Sequence, residues 1–260
     1  MNSWSQRRKR IILSIISFVV VIFIGLPLFF FVYKSPTCSD QKKNADETGI
    51  DCGGGCEMLC QADNLPIILQ GDPQVIKVAS TTYAIVVKAE NPNINAEIFR
   101  AGYSFKVYEE GGAVPLKVIE GNAYVPKNTS FAVFAGPFDF GEAVPSRVVY
   151  EWNTQTLVWS KNSIEIPDIL IDDKRLSGED AEPRLSAEIT NRSLENIKNL
   201  EFTAILTDEV GNTVGVSKTF IDILNKGDKM PIVFTWPGPF KNKATSVEIL
   251  MRILPNKSFL

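Results

Sequence analysis

Apolar and polar positions follow three different rhythms along this 260-residue chain. Residues 11–33, IILSIISFVVVIFIGLPLFFFVY, carry no charge. As a helix rising 1.5 Å per residue they reach about 35 Å, enough for a hydrocarbon core of about 30 Å. The pattern predicts a transmembrane helix that holds the chain in a lipid bilayer. A cleaved signal peptide has a shorter apolar region, about 7–15 residues, ending at a small-x-small site. Here Phe29, Phe30, Phe31, Val32, Tyr33 and Lys34 stand at the exit, so the segment reads as an uncleaved signal anchor.

The second rhythm, over residues 34–63, is polar and turn-rich, with few apolar residues to build a core. The third begins at Asn64, where short runs of Val, Ile, Phe and Tyr recur between Gly, Pro, Asn and Asp clusters without a sustained helical period. Strands are predicted at 75–79, 82–89, 101–108, 116–124, 131–134 and 144–152, then at 164–171, 185–190, 200–207, 213–221, 232–236 and 247–253. Such spacing is that of an antiparallel sandwich. Self-similarity divides it in two. Ala89-Glu-Asn91, the turn Glu109-Glu-Gly-Gly112, Val133-Phe134 and Gly136-Pro-Phe138 recur as Ala187-Glu-Ile-Thr-Asn191, Asp208-Glu-Val-Gly211, Val233-Phe234 and Gly238-Pro-Phe240, at an offset within a few residues of 100. In each copy a hairpin strand alternates inward: Tyr103, Phe105 and Val107, then Phe202, Ala204 and Leu206.

The expected fold is therefore mainly β. A cytoplasmic tail (1–10) and the transmembrane helix (11–33) precede a cysteine stalk (34–63), and two tandem β-sandwich domains follow (64–159 and 160–260). Arg7, Arg8, Lys9 and Arg10 abut the span, against Lys34, Lys42 and Lys43 beyond it, which puts the N-terminus in the cytoplasm and the rest outside. The net charge of −3 then conceals an exterior with 23 basic and 30 acidic residues. An acidic exterior gives nucleic acid no basic face to bind. The chain has no His, which excludes serine–histidine and cysteine–histidine hydrolases.

All four cysteines, Cys38, Cys52, Cys56 and Cys60, fall within 34–63. On the oxidising side of a membrane they predict two local disulfides, in any of three pairings; a four-cysteine zinc site would need the opposite topology. Asp40, Asn44, Asp46, Glu47 and Asp51 are hard oxygen donors between the first two cysteines, a candidate calcium set without EF-hand spacing and otherwise a solvated turn. The segment resembles a short motif of bacterial surface proteins, C-x-D-G-x-x-N-x-x-E-x-x-x-D-C-G-G-x-C. Cys38, Asp40, Asn44, Glu47, Asp51, Cys52, Gly53, Gly54 and Cys56 match it, and Gln41 stands where the motif has glycine. Asn91-Pro92-Asn93 resembles the late-embryogenesis-abundant type 2 domain, and Phe105-Lys-Val-Tyr-Glu109 the bacterial FxLYD domain. These resemblances imply immunoglobulin-like domains on a bacterial surface, with a binding or structural role.

Trp152, Trp159 and Trp236 are candidate platforms for an envelope polysaccharide, or else packing residues. Sheet edges are candidates for an envelope protein partner. Paired-acid chemistry has one candidate stretch, residues 172–182, with Asp172 and Glu179, where a solvated loop is the competing account. The sequence thus favours a membrane-anchored, extracytoplasmic binding or structural module without cofactor, over a cell-surface glycan hydrolase.

Overall fold

A computed structural model describes residues 3–25, 37–161 and 166–255. The chain divides into two compact units, Met1–Cys56 and Glu57–Leu260.

In the first unit, helix α1 (Ser3–Val20) ends in a π-helical turn at Val21–Gly25. Apolar side chains from Ile11 to Ile24 are exposed on all sides of it, Leu13 and Phe18 at 66 % each. Among the described residues no helix is long and apolar enough to cross a membrane. Residues 26–33 of the predicted span lie outside the described residues.

The second unit is built of antiparallel sheets. Its first six strands are β1 (Ile68–Leu69), β2 (Gln74–Lys77), β3 (Thr82–Asn91), β4 (Ala96–Glu109), β5 (Lys117–Val125) and β6 (Thr129–Asp139). Next come β7 (Pro145–Trp152), β8 (Trp159–Lys161), β9 (Ile169–Ser177), β10 (Arg184–Asn191) and β11 (Ile197–Thr207). The last three are β12 (Thr213–Leu224), β13 (Lys229–Thr235) and β14 (Ser246–Ile253). One sheet gathers β1, β2 and β6 around β3, and another gathers β5, β7 and β8 around β4. The later strands form β13-β10-β9 and β12-β11-β14.

Strand pleating explains where the cores sit. Ile85, Val87 and Ala89 on β3 and Phe131 and Val133 on β6 point one way, and Phe105 and Val107 on β4 join them in one buried cluster with Val125 and Tyr150. A second cluster takes Leu185, Ala187 and Ile189 from β10, Leu200, Phe202, Ala204 and Leu206 from β11, and Ile232 and Phe234 from β13. The inward residues expected at 105, 107, 202, 204 and 206 are all fully buried. A third cluster uses the opposite faces: Ile76, Ala84, Val86 and Ala132 from the β1–β3–β6 side meet Ile205 and Val216 from β11 and β12. Its signature is legible in β3, whose run Ala84-Ile85-Val86-Val87 is buried on both faces and does not alternate.

Each predicted strand has a counterpart, although residues 164 and 165 of the strand expected at 164–171 lie outside the described residues, and there are two differences. The short β1 and β8 were not expected, because pairs of two and three residues leave no period to read. Strand β9 continues to Ser177, so Asp172 and Asp173, expected in a solvated loop, lie in a strand. Asp173, Lys174 and Arg175 are exposed there, whereas Asp172 is half-buried, with its Oδ1 shielded and without a hydrogen-bond partner among the described residues.

Candidate functional site

The cysteine segment folds on its own polar groups. Cys38 bonds to Cys56 and Cys52 to Cys60, which chooses one of the three pairings the sequence left open. Asp51 Oδ1 accepts the amides of Asp40 at 2.9 Å and Gln41 at 3.0 Å. Asp40 accepts the Lys42 amide and the Asn44 Nδ2 at 2.8 Å, and the Asn44 amide bond holds the Asp40 carboxyl below its ordinary range. Glu47, only 7 % exposed, accepts the Asn44 amide at 3.1 Å. Gly54 has a left-handed backbone (φ +54), and a Cβ there would lie 1.9 Å from Asp46 O, so no other residue fits that turn.

Of the five predicted calcium donors, the structure links Asp40, Asn44, Glu47 and Asp51 through these bonds, with their lone pairs turned largely on N–H groups. Asn44 Oδ1 is buried without a hydrogen-bond partner among the described residues. Cys38, Glu47 and Cys56 place ligand atoms within 4.8 Å of one another. Sulfurs joined to each other are not thiolates, so this trio offers a metal little beyond one carboxylate.

Backbone geometry singles out Gln41, which has a φ of +60°, at the place where the resembling motif carries glycine. A side chain in that region costs about 1–2 kcal/mol, partly offset by the greater entropy that glycine loses on folding. Gln41→Gly is expected to raise the stability of the segment by about 0.5–1 kcal/mol, read as a higher midpoint in thermal unfolding without reductant. A lower midpoint would mean the Gln41 side chain makes a compensating contact.

The three tryptophans take different places. Trp159 is 4 % exposed in the first cluster, and Trp236 is 5 % exposed in the second, with its Nε1 donating to Val216 O at 3.0 Å. Both rings pack against protein. Trp152 is half-buried and lines a trough of 610 Å³ over the β5–β4–β7 sheet, with Ser104, Lys106, Glu120, Asn122, Glu151 and Asn153. By pleat, Gly102, Ser104 and Lys106 share the outer face, so the floor is small and the rim polar. Lys106 pairs with Glu151 at 2.6 Å across that rim, and this contact raises the lysine's pKa. Such a surface offers hydrogen bonds to polar ligands.

The acids of 172–182 separate. Asp173 pairs with Arg175 at 2.8 Å, and Glu179 Oε2 accepts the Ala244 amide at 3.0 Å. Asp172 stands opposite Glu188 on β10, and Lys229 reaches Glu188 at 2.9 Å, its own pKa raised first by that bond. Sequence reasoning missed a buried charged group altogether. Glu201, 1 % exposed, meets Arg252 Nε at 2.5 Å and Lys218 Nζ at 3.2 Å, and Arg252 Nη1 donates to Tyr124 O at 3.3 Å. Tyr124 in turn donates to the buried Glu97, whose pKa desolvation pushes up. Alternating charge on β11 and β14 reads as a solvent face, and nothing local distinguishes a face that another sheet covers.

No family model and no curated protein matches the chain. Among solved structures it is similar to the crystal structure of red sea bream transglutaminase, with a TM-score of 0.23 and 11 % identity, covering 73 % of this chain and 31 % of that one.

Proposed function

We propose that the chain is a membrane-anchored, extracytoplasmic module of the cell envelope that binds or spaces and does not catalyse. The observation that carries this reading is the pairing of all four cysteines in a polar segment beside an apolar one. Disulfides persist in oxidising compartments, and here they replace a core the segment cannot build. The surface of residues 11–24, uncharged and apolar except for Ser14 and Ser17, suits lipid. Residues 34–63 then serve as a stalk, and 64–159 and 160–260 as two tandem immunoglobulin-like sandwiches, each closing one of the two larger clusters between a pair of sheets. The third cluster and the Glu201–Arg252 pair couple the two halves, as a spacer requires, and the polar trough beside Trp152 is the surface on which an envelope polysaccharide would lie.

The test is labelling of the cysteines with an impermeant maleimide on intact cells. No label is expected before reduction, and full labelling after an impermeant reductant. Labelling without reductant, or only after lysis, overturns the exported stalk.

A further inference from the structure

Strand edges are where β proteins recruit further strands, and folded chains guard them with prolines, bulges, charges or a covering segment. Most edges of the second unit are guarded. Strand β6 carries the cis Gly136–Pro137 bond and a register shift opposite β3. Strand β13 has Pro231, β7 begins at Pro145, β9 is shifted against β10, and the Val216 carbonyl of β12 is capped by Trp236. Strand β14 has no proline, glycine or register shift: its eight residues pair in unbroken register with β11.

The phase of that ladder is fixed. The Leu254 amide donates to Asn199 O at 2.8 Å, so even-numbered residues turn their N–H and C=O toward β11. Val247, Ile249, Met251 and Ile253 turn theirs outward. Among the described residues β14 pairs with no second strand, and on that side Lys174 Nζ donates to Val247 O at 3.4 Å. The side chains of the same four residues are only partly buried against the second cluster.

The occupant is written in the strand itself. Val247-Glu248-Ile249-Leu250-Met251-Arg252-Ile253 reads alike in both directions, apolar at its ends and centre, with an acid and a base placed symmetrically about Leu250. Laid antiparallel on a second copy with Leu250 on the twofold axis, Val247 faces Ile253, Glu248 faces Arg252 and Ile249 faces Met251. Outward-facing residues then meet outward-facing residues, the pairing an antiparallel ladder needs. Glu248 and Arg252 fall opposite each other at a non-hydrogen-bonded position, but each is already paired within its own copy, Glu248 with Lys88 at 2.8 Å and Arg252 with Glu201, so the outward backbone groups and the apolar pairs carry the contact.

We propose that β14 is a self-association edge. Two copies join β12-β11-β14 into one continuous six-stranded sheet through an isologous interface. This does not rest on the membrane reading, since it uses only the second unit.

The test uses the full chain in detergent micelles. Sedimentation should show a concentration-dependent dimer. Leu250→Cys should cross-link two copies on mild oxidation, whereas Ser246→Cys, far from its own copy in this register, should not. Met251→Pro removes an outward N–H and no bond to β11, and it should weaken the dimer roughly tenfold or more. If that variant loses its core, hydrogen exchange of the unaltered chain decides: the 249 and 251 amides should gain protection with concentration. A monomer throughout overturns the proposal. So does protection of those amides in the dilute monomer, which would mean the chain covers its own edge. A dimer that survives Met251→Pro and fails to cross-link through Leu250→Cys would be held elsewhere, by α1 for instance, and also overturns it.

Discussion

Replacing Glu201 by Ala should cost about 3–5 kcal/mol of unfolding free energy, far more than the loss of any exposed ion pair in the molecule. The reason is what remains behind. Arg252, 8 % exposed, would keep its charge beneath the covering sheet with only the Tyr124 carbonyl for company, and Lys218 would lose the carboxylate that lets it approach. Glu201→Leu together with Arg252→Met should recover most of the loss, because two apolar side chains avoid the desolvation penalty that a lone buried charge pays. The effect should also have a shape. Trp159 lies in the first buried cluster and Trp236 in the second, so fluorescence reports on both halves. The unaltered chain is expected to unfold in one transition, and Glu201→Ala in two, because the pair sits where the third cluster joins the halves. Equal losses for the single and double variants would show that the pair is not coupled.

How much of this was legible follows from how far each signal reaches along the chain. Period-two alternation acts over a few residues, so β4 and β11 and their inward side chains could be read directly. The cysteines could be placed in one segment, but choosing Cys38–Cys56 and Cys52–Cys60 needs the turn made by Gly53 and Gly54, a matter of φ angles. Charge is where reading fails. Asp172 and Glu201 look alike in sequence, each an acid in a strand-like run. One is half-buried on an edge strand, and the other lies under a second sheet whose residues are far away in the chain. Burial of an outward face is decided by the partner sheet, and the double-sided run in β3 was the one local trace of it. The tryptophans fail for a related reason: an aromatic before a turn is equally suited to a platform or to a core, and the core claimed Trp159 and Trp236.

Two buried asparagines supply the other large effect. Asn91 and Asn191 are 0 % and 1 % exposed, and each ends a strand by bonding the backbone around it. Asn91 Nδ2 donates to Ala96 O and Pro126 O, both at 2.8 Å, while its Oδ1 accepts the Asn93 amide. Asn191 Nδ2 donates to Glu195 O, Leu224 O and Asn225 O, and its Oδ1 accepts the Ser193 amide. A buried carbonyl left without a donor costs about 1–3 kcal/mol, so Asn191→Ala should lose about 2–4 kcal/mol and Asn91→Ala a similar amount. Because the two side chains serve different cores, their losses should add to within about 0.5 kcal/mol, measured by urea unfolding of the single and double variants. Asn191→Asp separates donation from shape. The carboxylate still accepts from Ser193 but turns a charge on three carbonyl oxygens in a buried site, which raises its pKa in the folded chain above the unfolded value. The protonated acid has one hydrogen to donate. Stability of this variant should therefore be greatest below the unfolded pKa of about 4 and fall as pH rises through the folded pKa, whereas Asn191→Ala should show no such slope. An Asn191→Asp chain as stable at pH 7 as at pH 4 would mean that the carbonyls find other donors, and that Asn191 is a turn former only.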